Sequence, residues 1–257
     1  MVRGDRTGLL QQEVPRREGA IRASWKGRGR RMDATMLFDV PANPKHPARY
    51  TPSLLPVMAG MLKGRRRILD PFGGVGGAFA LEAWLPGATV NCVEIEPAWA
   101  SCHPRTTQGN ALALPWPDGY FDAICTSPTY GNRMADTLLD GYDRITYTSK
   151  LGRKLHPDNA GALQWGDKYR SFHIAAWTEA RRVLCPGAAF VLNCKNHIRG
   201  GVLQHVTEWH IDALTALGFR MLRHERVNTP SMRYGANSDK RVEYESVILF
   251  QLEGERC

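Results

Sequence analysis

The stretch Arg67-Ile68-Leu69-Asp70-Pro71-Phe72-Gly73-Gly74-Val75-Gly76-Gly77 decides the fold. A short apolar run ending in an acid gives way at once to glycines, and then to a short helical pattern through Phe79, Leu81 and Trp84. Glycines are needed where the chain turns sharply and where a ligand must reach the backbone with no Cβ in the way. A strand, a glycine-rich turn and a helix in that order predict the first unit of an open α/β sheet. In such a sheet the turn lies at the carboxyl edge, where ligands bind.

Outward from that stretch the alternation continues. Thr89–Glu94 (TVNCVE) reads as a second strand and Phe121–Thr126 (FDAICT) as another, opening into a long polar segment, 131–167. A helix is expected over about 168–184, with Phe172, Ala176, Ala180, Val183 and Leu184 on one face and Pro186-Gly187 stopping it. Ala189–Asn193 reads as a buried strand. The next helix, about 203–217, carries Val206, Trp209, Ala213, Leu214 and Leu217 at helical spacing, with Gly218 as its cap. Phe219–Val227 and Val242–Leu252 close the chain as two strands joined by a polar loop. Before the deciding stretch, Pro41, Pro44, Pro47 and Pro52 lead into a short apolar helix at about 53–62. The pattern predicts an α/β fold: a doubly wound, mostly parallel sheet whose final hairpin supplies one antiparallel strand.

Composition narrows the class. The chain has 257 residues, 43% apolar and 23% charged, which suits one sizeable α/β domain with a packed core. No apolar run is long enough to span a membrane, and the amino terminus lacks an apolar signal core, so a cytoplasmic location is expected. Six cysteines are scattered without a C-x-x-C pair, which predicts buried free thiols and no metal. Residues 1–31 hold nine Lys/Arg against three acids, most of the net charge of +9. They read as a basic, mostly disordered arm suited to a polyanion, or as a solvated tail, ahead of a single domain over 32–257.

Glu94 ends the second strand 21 residues after Gly73, the spacing at which an acid reaches the ribose hydroxyls of an adenosine. A pyrophosphate cradle wants G-x-G-x-x-G, whereas this turn opens on Asp70-Pro71-Phe72. An acid there suits a ligand's ammonium group.

With Asp70, Pro71, Phe72, Gly74 and Gly76 matching D-P-F-x-G-x-G, the sequence resembles the S-adenosylmethionine-dependent amino-methyltransferases that act on cytosine N4 or adenine N6 in DNA. His46-Pro-Ala-Arg-Tyr50-Thr51-Pro52 is similar to that family's other cofactor segment, and Thr126-Ser127-Pro128-Thr129-Tyr130 to its catalytic tetrapeptide in the Ser form. The resemblance covers about 46–252 and implies a Rossmann-like, seven-stranded class I methyltransferase domain. It implies S-adenosyl-L-methionine as cofactor, met by Tyr50, Thr51, Asp70, Phe72, Gly74, Gly76, Glu94 and Asn110, the last near the adenine ring. It implies catalysis by Ser127, Pro128 and Tyr130.

The chemistry accounts for those residue types. An exocyclic amine delocalises its lone pair into the ring and is a poor nucleophile. The Ser127 hydroxyl and a carbonyl beside the rigid Pro128 can accept both N–H bonds and favour a pyramidal nitrogen. Tyr130 is expected to stack on a base taken out of the duplex. Asn132, Arg133, Lys195, Arg233 and Tyr234 are expected to meet the nucleic acid, since basic and aromatic residues interleave on the loops of that edge. Thr129 departs from the family's second proline. That departure leaves open a domain that binds without turnover. Because similar tetrapeptides serve other planar amines, guanine N2 in RNA and a glutamine amide in protein stay open as acceptors.

Overall fold

The computed structural model describes residues 50–131, 146–229 and 240–254. The basic arm 1–31, and Asn132, Arg133, Arg233 and Tyr234, lie outside the described residues.

The strands are β1 (Arg67–Asp70), β2 (Thr89–Glu94), β3 (Thr106–Gln108), β4 (Phe121–Thr126), β5 (Leu184–Cys194), β6 (His197–Arg199), β7 (Val202–Gln204), β8 (Phe219–Asn228) and β9 (Tyr244–Leu252). Seven of them form one sheet in the order β3-β2-β1-β4-β5-β9-β8, and β6 and β7 make a separate hairpin. The pairs from β3 through β5 are parallel, while β9 runs antiparallel to both β5 and β8. The strand order reverses between β1 and β4, and an open α/β sheet offers its ligand crevice at such a reversal.

Alternation along each strand builds a core on both faces. Leu69, Val93, Ile124, Phe190 and Leu192 pack under helix α4 (Asp167–Val183) and helix α5 (Val206–Ala216), through Ala176, Trp177, Ala180, Val183 and Leu214. Their neighbours Ile68, Cys92, Ala123, Cys125 and Val191 face helix α1 (Leu54–Met61) and the 3-10 turn Gly77–Ala83, and the short helix α2 (Pro97–Ala100) follows β2. Each large side chain that is fully buried in this way stabilises by roughly 1.5–3 kcal/mol. The register at the amino edge is pinned by Asp122, whose carboxylate accepts from the backbone N–H groups of Arg66 (2.8 Å) and Arg67 (2.8 Å).

Three expectations need correction. The segment 131–167 carries structure of its own, helix α3 (Tyr147–Leu151) and the 3-10 turn Ala160–Ala162, because Thr146 and Asn159 cap these turns with their side-chain oxygens. The helix expected from 203 begins only at Val206, since 202–204 pair with 197–199 across Gly200 and Gly201, both at positive φ. Among the cysteines, Cys92, Cys125 and Cys194 are buried free thiols and Cys102 is a half-buried one, but Cys185 is disulfide-bonded. Among the described residues no helix is long and apolar enough to cross a membrane.

Candidate active site

Asp70 ends β1 and is 1% exposed. Its Oδ1 accepts from the Phe72 N–H (3.0 Å) and from the Thr126 hydroxyl (2.7 Å), and its Oδ2 accepts from the Tyr50 hydroxyl (3.1 Å). Thr126 ends β4, so this one carboxylate ties together the turns after β1 and β4 at the point where the strand order reverses. Burial pushes the Asp70 carboxyl up to about 6, against the three hydrogen bonds that favour its charged form.

The glycine turn is shaped by close approach. Gly73 donates its N–H to the Val93 carbonyl (2.8 Å), and a Cβ there would sit 2.5 Å from the Cys92 Cβ. Gly76 holds φ +88°, and a Cβ there would meet the Phe79 ring at 2.7 Å. Tyr50 lies over the same turn, its ring 3.0 Å from where a Gly77 Cβ would be. Thr51 begins the entry into α1, its carbonyl accepting from the Leu54 N–H (2.9 Å). Phe72 points to the opposite face, with its ring centroid 5.8 Å from those of both His173 and Trp177 on α4.

Glu94, at the end of β2, is buried rather than a surface acid. Its carboxylate accepts from the Gly74 N–H (2.9 Å) and the Glu96 N–H (2.8 Å), and burial pushes it up to about 7. Beside it lies a cavity of ≈ 290 Å³ lined by Ile95, Gln108, Gly109, Asn110 and His156. Asn110 is partly used by the fold: its Oδ1 accepts from the Leu112 N–H (3.0 Å) and its amide donates to Asp158 (3.2 Å).

Glu96 gave no signal in the sequence and turns out to be fully buried. It accepts from the His156 N–H (2.7 Å), from the Asn159 amide (2.8 Å) and from Arg153 (2.6 Å). Burial raises its carboxyl, but these donors outweigh that and leave it below the ordinary carboxylate value. Glu96 thereby fastens residues 153–159 beside the cavity.

On the turn after β4, Pro128 is buried and Ser127 and Tyr130 are half-buried. The hydroxyls of Ser127 and Tyr130 lie 2.8 Å apart, and the Tyr130 hydroxyl donates to Glu245 Oε2 (3.2 Å). The Asn193 amide, at the end of β5, donates to the same Glu245 oxygen (2.7 Å) and lies 3.0 Å from the Tyr130 hydroxyl and 3.3 Å from Ser127 Oγ. Burial, and then the Glu245 charge, hold the Tyr130 phenol well above its ordinary value. Lys195 reaches Thr229 Oγ1 (3.2 Å) on the same rim, and burial lowers its ammonium.

Helix α4 braces this turn from behind. The Tyr169 hydroxyl donates to the Thr129 carbonyl (2.7 Å) and lies 2.9 Å from His210 Nε2. His210 Nδ1 in turn accepts from the Trp177 indole N–H (3.1 Å). Since Tyr169 spends its one proton on Thr129, His210 must carry its own on Nε2 and donate to Tyr169. Burial, and then His173, keep His210 neutral by pushing its value well down. Every member of this chain therefore has a fixed role, and Thr129 is held by a side chain where a second proline would hold it by its ring.

The structure thus brings Tyr50, Asp70, Phe72 and the glycines together with Ser127, Pro128 and Tyr130 on one rim, with Glu94 and Asn110 farther along it. Asn193 joins them through Glu245, and Glu245, Tyr169 and Glu96 join them without having been candidates. Their positions follow from long-range pairing, such as β5 with β9, that no local pattern reports.

No protein-family model and no curated protein sequence matches the chain. Among solved structures it is similar to an S-adenosylmethionine-dependent methyltransferase from Methanosarcina mazei, at 14% identity, 81% of this chain, 100% of that one and a TM-score of 0.52. It is also similar to a 1,6-didemethyltoxoflavin-N1-methyltransferase from Burkholderia thailandensis with bound 1,6-didemethyltoxoflavin and S-adenosylhomocysteine, at 17% identity, 78% and 76% coverage and a TM-score of 0.44. At these identities the likeness is one of fold: the chain has the Rossmann-like fold of the Methanosarcina enzyme.

Proposed function

We propose that the protein is an S-adenosylmethionine-dependent N-methyltransferase that methylates an exocyclic amine, cytosine N4 or adenine N6 in DNA. The observation that carries this reading is the 2.7 Å bond between Thr126 and Asp70. It sets the glycine turn and the Ser127-Pro128-Thr129-Tyr130 turn side by side at the strand-order reversal.

The residues present suit the cofactor. The cavity beside Ile95, Gly109 and Asn110 is a slot for the adenine end, and each Glu94 oxygen keeps a lone pair beyond its backbone bond for a ribose hydroxyl. Gly73 and Gly76 keep Cβ atoms out of the turn, while Asp70, held by the Tyr50 hydroxyl and the Phe72 N–H, supplies a negative charge for the ammonium group. When bound, S-adenosylmethionine supplies an electrophilic methyl group.

The chain's own residues do the rest. Ser127 accepts an N–H of the amine, Pro128 keeps the turn rigid, and Tyr130, anchored by its hydroxyl, offers a fixed ring to a flipped base. Lys195 provides phosphate contacts, and Asn132, Arg133, Arg233, Tyr234 and the basic residues 1–31 add the phosphate and base contacts on the strength of their chemistry alone.

Incubation with methyl-labelled cofactor and separate pools of DNA, RNA and protein tests the reading. Label in DNA cytosine or adenine is expected. Label only in RNA or in glutamine moves the acceptor, and none in any pool leaves a binding domain.

A further inference from the structure

We propose that Glu245, acting through Tyr130, sets the Ser127 hydroxyl as a hydrogen-bond acceptor and receives the proton that the methylated amine must lose. The inference rests on the amine-methylation reading and adds a positioning residue to it.

A serine hydroxyl can donate or accept, and only an acceptor helps an amine nitrogen free its lone pair. The count of protons around Ser127 decides which it does. Glu245 Oε2 accepts from both the Asn193 amide (2.7 Å) and the Tyr130 hydroxyl (3.2 Å). A carboxylate is the strongest acceptor within reach of Tyr130, so the single phenol proton goes there. With that proton spent, the 2.8 Å contact between Tyr130 and Ser127 is a bond in which Ser127 donates. Asn193 brings only N–H groups to the three oxygens, so it reinforces the same polarity. Ser127 is left with a lone pair free for an incoming N–H.

The same chain gives the proton a route. Once the methyl carbon has exchanged its bond to sulfur for one to nitrogen, leaving a neutral thioether, the nitrogen bears the positive charge. Its proton passes to Ser127 Oγ, the Ser127 proton passes to the Tyr130 oxygen, and the Tyr130 proton passes to Glu245. The amine and both hydroxyls end neutral and intact, and Glu245 ends as the neutral acid. Glu245 is half-buried at the start of β9. It reaches this rim because β9 runs antiparallel to β5, which places its first residues beside the carboxyl end of β5.

The test uses the full chain with methyl-labelled S-adenosylmethionine and a short single-stranded oligonucleotide containing cytosine and adenine. Glu245→Gln and Tyr130→Phe are each expected to lower kcat roughly 100-fold, while KM for the oligonucleotide and S-adenosylhomocysteine affinity by calorimetry change less than about twofold. A second readout needs no turnover. In protein labelled with carboxyl-¹³C glutamate, the Glu245 resonance, assigned by its loss in Glu245→Gln, is expected to shift in Tyr130→Phe. An unmoved resonance, or Tyr130→Phe turning over at the parent rate, overturns the relay. A parent chain inert on the oligonucleotide sinks the DNA-base acceptor of the proposed function instead, and the resonance then judges the Ser127–Tyr130–Glu245 ordering alone.

Discussion

Asp70 shows how a single residue trades stability against function. Its folded value of about 6 lies above the ordinary 3.8, so across that window the folded chain keeps a proton that the unfolded chain has lost. The contribution to stability is full below about pH 4 and declines by about 3 kcal/mol as pH rises to 6. Asp70→Asn keeps the shape and can still accept from Phe72 and Thr126. It is expected to remove that decline, raising stability at pH 7 by up to about 3 kcal/mol with no gain at pH 4, as urea denaturation at the two pH values would measure. On the proposed reading it should also weaken cofactor binding, because the carboxylate charge is gone. A protein no more stable at pH 7 would show that the buried carboxylate is not under this strain.

At the scale of elements, α4 and the segment 153–159 hold the two halves of the site from outside. Tyr169 on α4 grips the Thr129 carbonyl, so Tyr169→Phe is expected to cost about 1 kcal/mol of stability and to lower kcat with cofactor affinity unchanged. Adding Thr129→Pro to that variant should recover turnover, since a proline ring restrains the same backbone; steady-state kinetics on the single and double variants decide it. Glu96 plays the matching part beside the cavity lined by Ile95, Gly109 and Asn110. Glu96→Gln keeps the size but loses the charge held by Arg153, His156 and Asn159, so hydrogen exchange at 153–160 should accelerate roughly tenfold or more. The unsubstituted chain should loosen in the same place on acidification. The ionised carboxylate stabilises the segment above the ordinary carboxylate value, and this is lost as pH falls through the lower folded one.

For the whole molecule, charge and sheet topology act together. The net charge of +9 and the basic arm suit a polyanion, and every phosphate neutralised releases counterions. Fluorescence anisotropy with a labelled duplex is expected to show binding that weakens roughly 10³-fold between 50 and 200 mM salt if about six phosphates are met. Removing residues 1–31 should flatten that slope. A salt-independent affinity would argue for a small, uncharged acceptor instead.

The sequence by itself determined the strands at Arg67–Asp70, Thr89–Glu94 and Phe121–Thr126, the doubly wound class, and the turns that carry Asp70 and Ser127. Each of these rests on local chemistry, either apolar period or glycine conformational freedom, that is written within a few consecutive residues. It missed that Tyr169, His173 and His210 are buried, because on α4 and α5 polar side chains occupy core positions by bonding one another, the helix backbone and the Thr129 carbonyl. It also missed Glu245, Glu96 and the partners of Asn193. Partners stand 52 to 66 residues away for Asn193, 115 for Glu245 with Tyr130, and 57 to 63 for Glu96. Such contacts exist only once parallel β4 and β5 and antiparallel β9 gather one rim and residues 153–159 fold against the end of β2, so tertiary structure alone decided which acids stay in water and which hold the site.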